Sequence, residues 1–270
     1  MRIAAFVVVV VGLSLAVAGA GVAQSPAPVV TVTASESSLA LGATSPVAAG
    51  ETRFEIVNSG GDALEITFAA LRPGVTVAEF TTTLRSNPDA AIEMAHLDGG
   101  VSLSPGERRR AVTFPLRAAS TYVAVNLSGD NPADWEVVEF ATTDQDNGAA
   151  APQADARVRI VDLRFRGAKR LPRNGVVRFE NAGWAPHFAL AAPLKRNAKQ
   201  RAVARALLRN AQGPLDRLLD FRRSIEPQAL ITRGSVNYNE VRFPRRGRYV
   251  MVCFFEGHSA QGMFRFVRVQ

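Results

Sequence analysis

Three kinds of soft metal donor stand in two short stretches of the second half of this 270-residue chain. Asn181-Ala182-Gly183-Trp184-Ala185-Pro186-His187 ends on an imidazole. Cys253-Phe254-Phe255-Glu256-Gly257-His258-Ser259-Ala260-Gln261-Gly262-Met263 supplies a thiol, an imidazole and a thioether. Thiolate and thioether sulfur favour soft ions, and imidazole suits copper, zinc and iron alike. Taken singly, each residue has a plainer reading: His187 as a turn histidine after Pro186, Cys253 as a core residue at a strand end, Met263 as packing material. Cys253 is the only cysteine, so no intramolecular disulfide can form. Other chemistry finds little support, since the sequence has no Gly-x-Ser-x-Gly elbow, phosphate loop or His-Glu-x-x-His signature. Its three histidines are too few for a trinuclear copper cluster, which disfavours an oxidase or nitrite reductase. We therefore expect a protein that is not an enzyme.

These segments must be held by strands. Short runs rich in Val, Thr and Phe alternate with Gly and Pro punctuation, which reads as all-β structure. The pattern occurs twice. Phe54-Glu55-Ile56-Val57-Asn58-Ser59-Gly60 is echoed by Val177-Arg178-Phe179-Glu180-Asn181-Ala182-Gly183, and Thr121 to Val125 by Arg248 to Val252. Each half closes on an alternating strand, Glu136 to Phe140 and Phe264 to Val269, so an internal duplication is the simplest account. Period-two alternation puts Phe179 and Tyr249 on sheet faces that exclude the neighbouring charges, so each half is expected to form a small antiparallel sandwich. Residues 76–86 read as one short helix. The segment 195–223 reads as a helical insertion broken at Gly213-Pro214, with Lys195, Arg196, Lys199, Arg201, Arg205 and Arg209 on its outer side.

Met1-Arg2, the apolar run from Ile3 to about Ala18 and the small residues Gly21-Val22-Ala23 read as a signal peptide over 1–23. Cleavage after about Ala23 would leave an exported, secreted or periplasmic protein with no transmembrane span; an uncleaved N-terminal anchor is the alternative. Residues 24–142 then form the first domain, 143–155 a small, polar linker, and 156–270 the second domain. Charge separates along the chain: residues 24–152 hold 7 Arg/Lys and 16 Asp/Glu, and residues 153–270 hold 24 and 8. A basic half in an exported protein points to an acidic redox protein or an anionic envelope surface, with nucleic acid excluded as a partner. The acidic half could equally dock on the basic one.

The order His, Cys, His, Met, with the first histidine after an Asn-x-Gly turn and the rest in one loop between the last two strands, resembles the plastocyanin and azurin class of cupredoxins. That resemblance covers residues 156–270 without the insertion. It implies two tandem Greek-key β-sandwiches, the second with the helical insertion, and one type 1 copper held by His187, Cys253, His258 and the weak axial Met263. Phe254, Phe255, Trp184 and Phe188 would shelter the thiolate, Glu256 would face solvent, and a solvent-near His258 would be the electron port. Two features depart from the family pattern: the Cys253–Met263 loop is long, and the insertion at 195–223 could cover the site. Aligning the halves places Leu64, Asn126, Pro132 and Val137 opposite the four ligands, so the first half should be metal-free. His96 reads as an ordinary loop residue. The function implied is one-electron transfer or copper carriage; the alternative is a metal-free envelope binding module that retains relic ligands.

Overall fold

The computed structural model describes residues 25–43 and 45–270, apart from the Glu256 side chain. The signal-peptide segment 1–23 and the expected outward direction of Glu256 lie outside the described residues. Among the described residues no helix is long and apolar enough to cross a membrane.

The first half contains β1 (Val29–Ser35), β2 (Ser38–Leu41), β3 (Val47–Asn58), β4 (Leu64–Leu71), α1 (Val77–Ser86), α2 (Pro88–Ile92), β5 (Ala95–Leu103), β6 (Arg109–Leu116), β7 (Thr121–Asn126) and β8 (Glu136–Asp146). The second contains β9 (Ala156–Ile160), β10 (Phe165–Gly167), β11 (Arg170–Leu171), β12 (Asn174–Asn181), β13 (His187–Pro193), α3 (Gln200–Leu208), α4 (Gln212–Leu218), β14 (Ile225–Ile231), β15 (Val236–Arg242), β16 (Gly247–Val252) and β17 (Phe264–Val269).

The pairings repeat between halves, as the duplicated sequence pattern requires. β1 lies parallel to β3, and β9 parallel to β12. β3 pairs β6, and β12 pairs β15. β4 joins β5 to β7, and β13 joins β14 to β16, while β7 pairs β8 and β16 pairs β17. The sandwiches are thus mixed rather than purely antiparallel, because the first strand of each half runs beside the third strand of the first half and the fourth of the second in the same direction. In both halves the apolar alternate residues meet between the layers. Phe54 packs against Phe68, Phe114 and Phe140 with centroids 4.3, 5.0 and 6.0 Å apart, and Phe179, Phe243 and Tyr249 fill the second core. Burying rings of this size adds to the aliphatic burial that stabilises each sandwich.

Helices occupy the same place in both halves, between β4 and β5 and between β13 and β14, and pack on the outer sheet face. The first helix starts from a Thr76/Glu79 capping box, which satisfies two otherwise unpaired N–H groups. The insertion of the second half breaks earlier than the sequence suggests. Asn210 takes φ +47° and ends the first helix, and Gly213-Pro214 falls in the opening turn of α4. Proline is tolerated there because first-turn N–H groups have no intrahelical acceptor.

The two halves share one sheet. β15 pairs antiparallel with β6 through Tyr238↔Thr113 and Asn239↔Val112, giving a 12-stranded sheet, while β11-β17-β16-β13-β14 forms a second sheet of five. The docking of acidic on basic half, open from sequence, is therefore backbone pairing plus a polar seam. Asn237 donates to the Asp98 carbonyl at 2.9 Å, Ser235 to the Leu97 carbonyl at 2.6 Å, and Arg53 pairs with Glu240 at 2.7 Å. The segment 143–155 is only partly free of structure: Thr143–Asp146 complete β8, and Asn147, Ala150 and Asp155 hydrogen-bond to Ala49, Ser25 and Val176.

Candidate metal centre

His187 opens β13, Cys253 directly follows β16, and Met263 directly precedes β17, so one end of the five-stranded sheet receives all three. Asn181 fixes the loop before His187. Its Oδ1 accepts the Gly183 N–H at 2.9 Å, and its Nδ2 donates to the carbonyls of Ala185 and Ile231, each at 2.9 Å. Gly183 is required because a Cβ there would stand 2.6 Å from the Asp162 nitrogen. Asn58 makes the matching turn in the first half by accepting from Gly60 and Gly61.

The second loop is tied at its base, where Cys253 N–H donates to the Met263 carbonyl at 3.2 Å and Met263 N–H to the His258 carbonyl at 2.9 Å. Its extra length is taken up by a 3-10 turn over Phe255–Gly257, and Gly257 holds φ +76°. These turns bring the donors together. Among the described residues, His187, Cys253 and His258 form a buried group whose ligand atoms all lie within 4.8 Å of one another. His187 Nδ1 is 3.2 Å from His258 Nδ1, and Cys253 Sγ is 3.6 Å from the same atom. Met263 is fully buried in the same core as Cys253.

Burial sets the protonation. It lowers the His187 pKa to about 4, reinforced by the charge of His258 and opposed by Asp162. Burial also raises the Cys253 thiol, an effect reduced by N–H groups of Phe188 and Phe255 and increased by Glu226. The site thus disfavours added positive charge on His187 and free negative charge on sulfur. Two imidazoles with Nδ1 atoms 3.2 Å apart can share at most one proton between those atoms, and a cation accepts both lone pairs. His187 Nε2 is buried without a hydrogen-bond partner, which fits a ring oriented from its Nδ1 side.

The surroundings differ from the sequence expectation in three respects. Phe188 and Phe255 pack on the core, with the Phe255 ring edge-on to His258 at 5.6 Å, but Trp184 is 70% exposed. Phe254 faces the helical layer instead. His258 is only 4% exposed, although Gly257 and Gln261 beside it are exposed. The helical insertion packs on the outer sheet face against Val250 and Val252, away from the sulfur-bearing core.

In the first half, Leu64 is core and Asn126 is consumed by hydrogen bonds to Ser35, Ser38 and Ser128. Pro132 opens a 3-10 turn. The ladders pair Val125 with Val137 and Val252 with Phe264, so Glu136 rather than Val137 corresponds to Met263. His96 lies in β5, not in a loop; its ring contacts Asp98 and the Arg233 carbonyl, each at 2.9 Å. Sequence reasoning missed this seam, although the alternating Asn237 and Asn239 of β15 were a signal that its buried face meets polar groups.

A double sandwich with a buried His-Cys-His group beside a methionine is a cupredoxin-like arrangement. No family model and no curated protein matches the sequence. Among solved structures, auracyanin B is 23% identical, with 45% of this chain and 93% of that chain covered and a TM-score of 0.29. Auracyanin from Roseiflexus castenholzii is 18% identical over 42% of this chain and 94% of that one, with a TM-score of 0.28. Copper nitrite reductase from Nitrosomonas europaea is 14% identical over 91% and 94%, with a TM-score of 0.26.

Proposed function

We propose that this is an exported mononuclear copper protein that transfers single electrons or carries copper, without being an enzyme. The observation that carries the reading is the buried convergence of one thiol and two imidazoles within 4.8 Å. In this reading His187, Cys253 and His258 would hold the ion, with the thioether of Met263 as a weaker fourth donor. A bound copper ion would supply a one-electron couple suited to a thiolate and two imidazoles. The chain's part is to hold the donors still. Asn181 clamps the loop carrying His187, and the Cys253–Met263 backbone bond closes the other loop, so little rearranges when charge changes. N–H groups of Phe188 and Phe255 favour the thiolate form of Cys253, and Phe255 screens His258 from water. His258, between exposed Gly257 and Gln261, is the proposed electron port toward a redox partner.

Adding Cu(II) to the purified metal-free protein should develop an intense visible thiolate-to-copper absorption, and Cys253→Ser should abolish it. A colourless protein whose Cys253 still reacts with thiol reagents after copper addition would refute the reading and leave the metal-free binding module.

A further inference from the structure

Six arginines of the second half gather at the end of the sandwich opposite the candidate metal centre. There β13 ends at Pro193, β16 begins at Gly247 and β17 ends at Val269, with Pro193 paired to Tyr249 and Gly247 to Val269. At about 3.3 Å per residue, the six residues of β17 separate this pole from Met263 by about 20 Å. Two shallow depressions of ≈530 and ≈400 Å³ meet there, sharing Arg246, Gly247 and Arg268. Arg170 completes the first; Arg196, Arg245 and Arg248 complete the second.

Among the described residues none of these six arginines forms an ion pair. Arg245 and Arg248 reach the carbonyls of Leu194 and Arg196, and among the described residues no side-chain hydrogen bond occupies Arg170, Arg246 or Arg268. Six like charges at one end, unpaired, destabilise one another and gain from an external anion. Guanidinium groups fit phosphate oxygens in paired N–H contacts. The apolar residues lining the depressions, Leu194 and Val269, are buried, so the surface offers no aromatic or aliphatic anchor of the kind found at the centre of protein interfaces. Attachment to an anionic bilayer needs charge alone.

We propose that this arginine pole binds the phosphate-bearing surface of an anionic phospholipid bilayer. Bound in this way, the protein would turn the candidate metal centre away from the bilayer and leave it open to a partner. The inference does not depend on copper, and metal-free protein should bind equally.

The test is co-sedimentation of the full chain with phosphatidylcholine vesicles and with vesicles containing phosphatidylglycerol. Binding beyond that to phosphatidylcholine should appear with phosphatidylglycerol and vanish at high salt. At about fivefold per arginine, Arg170→Gln/Arg246→Gln/Arg268→Gln should weaken the phosphatidylglycerol-dependent part about 100-fold. Arg72→Gln/Arg233→Gln, at the metal-centre end, should leave it unchanged. The substituted arginines are surface groups without partners, so an unaltered circular dichroism spectrum should accompany the loss. The proposal is overturned if phosphatidylglycerol adds no binding, if the triple variant binds as well as wild type, or if both variants weaken it equally.

Discussion

The buried imidazole of His187 gives the metal-free protein a measurable acid sensitivity. Its pKa falls from the ordinary 6.5 to about 4, first through burial and then through the charge of His258. A difference of that size is worth about 3 kcal/mol. The sign follows from proton binding. Below pH 6.5 the unfolded chain takes up a proton that the native ring refuses until about pH 4, so native stability is intact at neutral pH and drains away as pH falls through that window. Other groups also titrate there, so the comparison that isolates the ring is metal-free wild type against His187→Gln. Urea unfolding at a series of pH values from neutral to about 4 should show the wild type losing about 3 kcal/mol more than the variant. Identical pH dependence in the two proteins would refute the claim that His187 is held neutral by burial.

Two further substitutions probe the core beside the site and the contact between the two halves. Met263→Leu conserves volume in the fully buried core, so it should cost less than about 1.5 kcal/mol in denaturant unfolding. It should also keep the copper-dependent colour while shifting the reduction potential measured by redox titration. Gly100→Ala would place a Cβ 2.3 Å from the Ile66 carbonyl and 3.0 Å from Ala229 of the other half, and should destabilise by about 1–3 kcal/mol in the same unfolding assay.

Local features were legible in the sequence because they depend on neighbours along the chain. The Asn-x-Gly turns form as read, since a side-chain amide accepting the N–H two residues on needs no distant partner. Alternation in Phe54-Glu55-Ile56 and Val177-Arg178-Phe179 specified which side chains the sheets bury. Features set by contact between distant segments were read less well. Trp184 looks like a shelter for the thiolate because it precedes His187, yet the loop turns its ring outward. The one-residue error between Val137 and Glu136 has a similar origin, because only the inter-strand ladder fixes register.

By itself the sequence determined the donor types, their order, the duplicated strand pattern and the loss of all four donors from the first half. Tertiary structure alone decided that His187 and His258, 71 residues apart, face each other at 3.2 Å, that β6 and β15 fuse two sandwiches into one sheet, and that six arginines meet at the far pole. The physical reason is that side-chain chemistry and backbone preference are encoded residue by residue. Distances between segments follow from which strands pair, and that is settled by burying both cores at once.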